Sequence, residues 1–453
     1  MPRHRTLGGW DAVMIGRWLP RVFLVWGIMI LPFLYGYVAG RYHKFPSAQM
    51  GQAWMQIKAL KASLQGRPGS AFVSTSQPRT VVLHRPAEVS PGMTLVAGVG
   101  TKRRLYAALV DTEGRVLRRW DLDWFTLWPN PTHVPKDQKP KERPGGDIHG
   151  IALSPNGDLT FNYDELGMAQ VDVCGRVKWR LPLLTHHAIY PDEAGNIWSL
   201  DFLTHDKADP RLPNYAPPFH EDAVLEVSPS GQVLRRIPIF DLLLRNHLQG
   251  LLYMSSTDNA STAVWGESLH VNDVEVFPKA MKPDVFRPGD IMISLRNINT
   301  VLVFDPQSLK VKQLIMGVSI RQHDPDFVDG STISILDNNN VDADQAHGSS
   351  RIVEYSVKTG RARVLFQGNR AAPFYTQVMG KQQRLANGNL LLTEESQGRA
   401  LEVNSHGDMV WEYFNHADKG LLGVLDEAQR ISPQMMTPAS LQKLVSACPA
   451  GSG

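Results

Sequence analysis

The stretch EVNSHGDMVWEY, residues 402–413, consists of two short apolar runs joined by a turn that contains Gly407. Apolar and polar residues alternate with period two on both sides of the turn, which predicts an antiparallel β-hairpin. Five other stretches have the same form: LVDTEGRVLRRW from Leu109, QVDVCGRVKWRL from Gln170, EVSPSGQVLRRI from Glu226, VFDPQSLKVKQL from Val303 and EYSVKTGRARVL from Glu354. The chain therefore contains an internal repeat.

A second hairpin precedes most copies of the repeat, as in ALSPNGDLTFNY from Ala152 and QRLANGNLLLTE from Gln383. Two hairpins in succession make one four-stranded sheet. Six such units over about 330 residues predict an all-β fold, a six-bladed β-propeller. A large β-sandwich is the alternative fold, but it does not account for the repeat.

The composition agrees with a large all-β protein. Of the 453 residues 43% are hydrophobic, which is enough for a sizeable core, and the 37 Gly and 31 Pro residues suit a chain with many turns. The net charge of +3 is too small to indicate nucleic acid as a partner. The chain has 2 cysteines, Cys174 and Cys448, so a disulfide framework is not indicated, and a bridge between these two is left open.

The N-terminal segment differs from the rest, because it is uncharged from Val22 to Ala39. Such a run is near the minimum length for a membrane-spanning helix. Arginines are more numerous before the run than basic residues are just after it, which predicts an N-terminus in the cytoplasm. We therefore expect a single-pass anchor in the inner (cytoplasmic) membrane, with the propeller in the periplasm or outside the cell. A cleaved signal peptide is the alternative, but Tyr37 occupies the place where a small residue is expected.

These patterns predict four regions. They are a cytoplasmic stub with the transmembrane anchor (1–45), a juxtamembrane helix or linker (46–78), the six-bladed propeller (79–420) and a C-terminal tail (421–453).

Four histidines open successive repeat units at one phase: His149, His187, His270 and His323. Thr376 takes the same place in the last unit. In a propeller the first strand of each blade lines the central channel, so these side chains are expected to meet at one channel mouth. Imidazoles can bind metal, move protons or attack an electrophile. Neither His-Glu-x-x-His nor Cys-x-x-Cys occurs, and no phosphate-binding loop, Gly-x-Ser-x-Gly elbow or dinucleotide fingerprint is present, so we expect neither a metal nor a cofactor.

The chain resembles the bacterial arylsulfotransferases that do not use PAPS. The resemblance covers roughly Asp147 to Asn415, and it depends on four motifs: GESLHVNDVEVF, GDIMISLRNINTVLVFD, RQHDPDFVDGSTISILDNN and LLTEESQGRALEVNSHGDMVWEY. It implies a six-bladed propeller that transfers a sulfuryl group from an aryl sulfate to a phenolic acceptor by way of a sulfohistidine.

The resemblance also implies roles for single residues. His323 matches the histidine nucleophile, His270 and Asn272 match a His-x-Asn pair, and Arg296 matches the active-site arginine. The remaining histidine corresponds to His187 or to the adjacent His186, and the sequence leaves that choice open. We expect Asn272, Thr376, His149 and His186 to contribute to substrate binding.

The residue types suit this chemistry. A neutral imidazole is a competent nucleophile near pH 7, and an arginine fork matches the oxygens of a sulfuryl group. The competing hypothesis is a non-catalytic propeller, anchored in the membrane, that binds a ligand or partner protein at the channel mouth. The two hypotheses differ in that only the enzyme needs a nucleophile. The physiological donor and acceptor and the oligomeric state are not encoded in any pattern we find.

Overall fold

The computed structural model describes residues 10–41, 71–136, 138–255, 264–341 and 349–449. The chain divides into two units, Met1–Gly69 and Ser70–Gly453. The described part of the first unit is one helix, α1 (Trp10–Arg41). Among the residues that could be evaluated, no helix has both the length and the apolar character that a membrane span requires. The anchor predicted within 1–45 is therefore not supported by the structure, and most of the helix or linker predicted over 46–78 lies outside the described residues.

The second unit is built of antiparallel sheets. In the described residues, its first half forms most of three sheets, and the first of them contains β3 (Met93–Val99), β4 (Leu105–Val110) and β5 (Val116–Asp121). The second contains β6 (Ile148–Leu153), β7 (Leu159–Tyr163), β8 (Gly167–Val171) and β9 (Val177–Leu181). The third contains β10 (Thr185–Pro191), β11 (Ile197–His205), β12 (Tyr215–Val227) and β13 (Val233–Pro238), with β14 (Val264–Glu267) parallel to β12. We call them sheets 1, 2 and 3.

Three further sheets follow in chain order. Sheet 4 contains β15 (Val271–Val276), β16 (Ile291–Leu295), β17 (Thr300–Asp305) and β18 (Lys310–Met316). Sheet 5 contains β19 (His323–Asp329), β20 (Thr332–Asp337), β21 (Arg351–Ser356) and β22 (Arg361–Gln367). Sheet 6 contains β23 (Lys381–Arg384), β24 (Leu390–Glu394), β25 (Arg399–Val403) and β26 (Met409–Phe414).

Short elements complete the second unit. A small sheet pairs β1 (Phe72–Ser74) with β28 (Leu421–Gly423), which also pairs with β27 (His416–Asp418). The described helices are α2 (Trp124–Leu127), α3 (Ile239–Arg245) and α4 (Pro438–Ser446). Single 3-10 turns cover Pro86–Glu88, Thr101–Arg103, Gln249–Tyr253, Arg296–Ile298 and Glu395–Gln397.

All six predicted hairpins are present, each as the third and fourth strands of its sheet. The inner strands of a sheet are buried on both faces, as in β16, where every residue is buried. In sheets 1 to 5 the fourth strand is polar and largely open to solvent, as in β22, whereas β26 in sheet 6 is mostly buried. This gradient from apolar to polar explains why the outer hairpin, with its alternating pattern, is the easiest part of the repeat to recognise.

The first and last parts of the chain are paired with each other. β29 (Leu425–Ile431) pairs with β3 and so becomes the first strand of sheet 1, and β2 (Val81–Leu83) pairs with β26 in sheet 6. The first strands of the six sheets, which are β29, β6, β10, β15, β19 and β23, contact one another in cyclic order. The fold is all-β and propeller-like. The segment predicted as a C-terminal tail (421–453) thus contains β28 and β29, and β29 pairs with the edge of β3 that β4 leaves open.

A disulfide joins Cys174 to Cys448, with a Cα–Cα distance of 5.5 Å. The sequence left this bridge open, and the structure contains it. Cys174 lies in the turn between β8 and β9, and α4 brings Cys448 to that turn by packing the buried Leu441 into the same hydrophobic cluster. The sequence did not indicate this pairing, because 274 residues separate the two cysteines.

Candidate functional site

Shifts in strand register near the starts of the first strands orient the histidine side chains. The strand register shifts at Ile148/Gly150 in β6, at His186/Ile189 in β10 and at His323/Asp326 in β19. Such bulges redirect side chains and recur next to active sites. His187 and His270 also have left-handed backbone conformations, with φ values of 51° and 53°. A histidine in this region is uncommon and indicates a position held by its surroundings.

Three of the four predicted histidines form a continuous row. The His149 and His187 rings are stacked with their centroids 4.2 Å apart, and the His270 ring meets His187 edge-on at 4.9 Å. The row therefore joins sheets 2, 3 and 4.

His186 lies behind the row and is fully buried. Its Nδ1 is 2.8 Å from Nδ1 of His187, and its ring stacks on Phe202 at 4.1 Å. Of the two adjacent histidines, His187 is thus the one that contacts the other histidines. Burial lowers the pKa values of both, so both are neutral near pH 7.

His323 is buried, and hydrogen bonds define its tautomer. The side-chain Nδ2 of Asn338 donates to the backbone carbonyls of Thr376 and Met379, at 3.0 and 2.8 Å. The amide is therefore oriented with Oδ1 facing His323, where it lies 2.7 Å from Nδ1. An amide oxygen can only accept, so Nδ1 must carry the proton. The backbone N–H of Met379, 3.2 Å from Nε2, donates to the lone pair that remains there.

The electrostatics also favour a neutral His323. Burial lowers its pKa well below the ordinary value, and the positive charge of Arg296 acts in the same direction, although the Asn338 hydrogen bond opposes them. The site therefore holds an imidazole that is neutral near pH 7, the form that a nucleophile needs, with its Nε2 lone pair accepting from the N–H of Met379.

Residues of sheet 4 and the last residue of β14 in sheet 3 contribute buried polar atoms that have no hydrogen-bond partner within the described residues. They are Nε2 of His270, Nε of Arg296, Oε1 of Glu267 and Oδ1 of Asn272. Glu267 accepts from Nδ1 of His270 at 2.7 Å. Within the described residues, no carboxylate lies at ion-pair distance from Arg296. Buried polar groups are normally paired, so the two nitrogens indicate a site that a ligand with several oxygens would complete.

Two of the predicted residues have structural partners. The Asn272 amide donates to the backbone carbonyl of Gln322 at 2.9 Å, which joins sheet 4 to sheet 5. The Thr376 hydroxyl donates to the carbonyl of Val378 at 2.7 Å and so shapes the loop that carries Met379. The fully buried Thr376 therefore acts on the site through that loop.

His149 forms an ion pair with Asp164, with Nδ1 3.0 Å from Oδ1. Burial disfavours the charged imidazolium, but the attraction of Asp164 outweighs it and raises the pKa of His149 to about 9. Burial likewise opposes the charge of Asp164, and His149 outweighs it and lowers the pKa of this carboxyl to about 2. The site thus combines a protonated histidine with neutral ones.

His149, Asp164 and His187 could also hold a metal ion, because their ligand atoms lie within 4.8 Å of one another. Two features act against this role. The rings of His149 and His187 are stacked at an interplanar angle of 22°, which directs their nitrogen lone pairs side by side instead of towards one point, and Nδ1 of His149 already faces a carboxylate.

A second polar cluster lies among the first strands of the sheets. A cavity of about 310 Å³ is lined by carboxylates around the single ammonium of Lys381. Lys381 lies 2.9 Å from Asp324 and 3.6 Å from Asp273. Burial raises the pKa of Asp273 to about 7 and that of Glu427 to about 8. The pairing of Asp324 with Lys381 explains why this residue, adjacent to His323, points away from the histidine row.

The sequence interpretation missed Asn338, Glu267 and Asp164. Glu267 lies three residues before His270, and Asp164 directly follows β7, so each is near a recognised motif. Asn338 directly follows β20, and polar residues at strand ends were the available signal. No local pattern, however, identifies which histidine each of them contacts.

Comparison with solved structures gives neighbours of low similarity. A protein of unknown function from Bacteroides caccae has a TM-score of 0.44 and 14% identity, and the match covers 74% of this chain and 98% of that chain. Virginiamycin B lyase from Staphylococcus aureus has a TM-score of 0.33 and 12% identity, with 59% and 69% covered. BamB from Moraxella catarrhalis has a TM-score of 0.30 and 10% identity, with 75% and 74% covered.

No curated protein matches the chain. The sequence profile of a family described as Arylsulfotransferase (ASST) matches residues 166–416, which is more than half of the 453 residues. The matched region includes His187, His270, Arg296 and His323, and the resemblance inferred from the motifs is confirmed. The chain belongs to the arylsulfotransferase family.

Proposed function

We propose that this protein transfers a sulfuryl group from an aryl sulfate to a phenolic acceptor through a sulfohistidine formed on Nε2 of His323. The single observation that carries the proposal is the tautomer of His323. A buried imidazole that donates through Nδ1 to Asn338 and keeps its lone pair on Nε2 is ready to attack sulfur.

The neighbouring groups suit the charge of the reaction. Arg296 would donate to sulfuryl oxygens, which gain stabilisation in the transition state from fixed donors in a partly buried site. Nε2 of His270 would donate to them only with a proton on both ring nitrogens, because Nδ1 already donates to Glu267. The N–H of Met379 would turn from Nε2 to a sulfuryl oxygen as the new N–S bond forms. The neutral His187 would line the space between His270 and His149.

The proposal assumes that sheets 1 to 6 are the six blades of one propeller around a common channel. The cyclic contacts of their first strands and the pairing of β29 with β3 support this. In that arrangement a residue from each of several blades reaches one mouth, so that groups distant in the sequence act together.

Trapping the intermediate tests the proposal. Wild-type protein incubated with 4-nitrophenyl sulfate and no acceptor should gain the mass of one sulfuryl group on the peptide that contains His323, and addition of phenol should remove it. His323→Ala should gain none and should transfer none. Label on a different histidine would assign the nucleophile elsewhere, and no label in the wild type would favour a non-catalytic propeller that binds a ligand or partner.

We also propose that the propeller acts outside the cytoplasm and is held at the inner membrane. The uncharged run from Val22 to Ala39 with its arginine bias supports an anchor, and the Cys174–Cys448 disulfide supports an oxidising compartment. Protease added to intact spheroplasts should digest the propeller. Full protection would place it in the cytoplasm.

A further inference from the structure

The position of His149 relative to His323 suggests a role that the family match does not assign. Sheets 2 and 5, which carry these residues, are separated by three steps in either direction of the cyclic order β29, β6, β10, β15, β19 and β23. His149 and His323 therefore lie on opposite sides of the channel mouth, with His187 and His270 between them on one side.

The opposite positions of His149 and His323 suit an in-line displacement at sulfur. In an in-line transfer the attacking and leaving atoms lie on opposite sides of the transferred group, as in phosphoryl transfer. A sulfuryl group attacked by Nε2 of His323 therefore expels its phenolate oxygen towards sheet 2. The ordinary pKa of a phenol is about 10, so the departing oxygen gains from a proton donor on that side.

His149 has the properties of such a donor. Asp164 holds Nδ1 at 3.0 Å, and within the described residues Nε2 has no hydrogen-bond partner. The carboxylates that act on His149 also favour the charged ring; they are Asp147, Asp164 and Glu395. Glu165 is likewise near, whereas His186 and His187 are neutral. The imidazolium thus keeps its proton until a stronger base, such as a phenolate, approaches Nε2.

We propose that His149, held by Asp164, is the general acid and base of the transfer; this rests on the proposed function. In the first half-reaction Nε2 of His323 attacks sulfur, the S–O bond to the aryl group breaks with its electron pair on oxygen, and the Nε2 proton of His149 passes to that oxygen to give the phenol. In the second half-reaction the acceptor oxygen attacks sulfur, the S–N bond breaks with its pair returning to His323, and the acceptor proton passes to His149.

The dependence of rate on the leaving group tests this role. Loss of a general acid should matter most for donors whose phenolate is a poor leaving group. We expect His149→Ala to slow the first half-reaction, measured as phenol released in a single turnover without acceptor, by about 10²-fold to 10³-fold with phenyl sulfate, but by less than about threefold with 4-nitrophenyl sulfate, whose phenolate departs without a proton. Asp164→Asn, which removes the positioning carboxylate, should show the same selectivity to a smaller degree.

The matched control is His205→Ala. His205 forms a comparable pair with Glu221, with Nε2 2.8 Å from Oε2, at the end of β11 and outside the histidine row. This variant should keep the wild-type dependence on the leaving group. Retained release of 4-nitrophenol in that single turnover shows that a variant is folded, and His149→Gln provides a second variant if His149→Ala is not.

The outcomes separate this proposal from the proposed function. If wild-type protein forms no sulfohistidine, the proposed function fails, and the role of His149 fails with it. If it forms sulfohistidine on His323 but the His149 variants lose the same factor with every donor, the proposed function stands and His149 is not the acid. A loss that is restored by added divalent metal would instead assign His149, Asp164 and His187 to a metal site.

Discussion

One amide group determines the chemistry of His323. Asn338 is oriented by two backbone carbonyls that accept from its Nδ2, so its Oδ1 can face only an N–H. In water the two neutral tautomers of histidine exchange freely. Here the oriented Asn338 amide makes the tautomer with the proton on Nδ1 of His323 much more stable. The nucleophile is therefore prepared before the substrate binds.

Asn338→Ala should release this control. We expect kcat to fall by about 10²-fold, because the nucleophile loses its fixed tautomer and orientation, and we expect the ¹⁵N shifts of His323 to show both tautomers. The matched control is Asn340→Ala, because Asn340 donates to the carbonyl of Gln377 and does not touch His323. An unchanged kcat in Asn338→Ala would show that the tautomer does not limit the reaction.

Substitutions of Arg296 can separate the effect of its positive charge from the effect of its planar guanidinium group. Arg296→Ala should lower kcat by about 10² to 10³. Arg296→Lys should recover part of this loss, because it restores the charge without the planar fork. Circular dichroism should show both variants folded, since the side chain has no ion-pair partner among the described residues. Near-normal turnover of Arg296→Ala would place the sulfuryl oxygens elsewhere.

At the scale of elements, the sequence predicted what is local. The outer hairpins were predicted because a turn, which contains Gly in five of the six copies, and an alternating pattern lie within twelve residues of each other. The pairing of β29 with β3 was not predicted, because it joins strands about 330 residues apart. The sequence of β29, LDEAQRI, contains no pattern that indicates which strand it pairs with. The same reason applies to the Cys174–Cys448 bridge and to the contact of Asn338 with His323.

The disulfide connects α4 to the turn between β8 and β9, outside the histidine row. Cys174→Ser should therefore lower the free energy of unfolding by about 2 to 5 kcal/mol, because the open chain gains conformational freedom. Turnover at 25 °C should not change. Urea unfolding should give the same midpoint for Cys174→Ser, Cys448→Ser and reduced wild-type protein. A midpoint equal to that of the oxidised wild type would show that the bridge does not form.

For the whole molecule, two kinds of polar cluster lie at or next to the first strands of the sheets. Histidines from sheets 2, 3, 4 and 5 form one cluster, and carboxylates from sheets 1, 4 and 5 surround Lys381 in the cavity of the other. Buried charges of one sign are costly unless they are paired or protonated. A single ammonium cannot neutralise every carboxylate, so some of them must hold protons in the folded state.

This requirement predicts how stability depends on pH. Burial raises the pKa of Glu427 to about 8, whereas an unfolded glutamate has a pKa of about 4.3. The folded state therefore binds a proton that the unfolded state releases, so this contribution to stability is complete below about pH 4.3 and is lost as pH rises through 8.

Glu427→Gln keeps the shape of the side chain and removes this titration. Between pH 5 and pH 8 the wild type should lose roughly 1 to 4 kcal/mol more unfolding free energy than the variant does. Glu113→Gln is the matched control, because Glu113 lies in an exposed turn outside the channel, and its profile should parallel that of the wild type. Urea unfolding at several pH values measures the difference. Parallel profiles for Glu427→Gln and the wild type would mean that Glu427 is ionised in the folded channel and that Lys381 and solvent suffice to stabilise it.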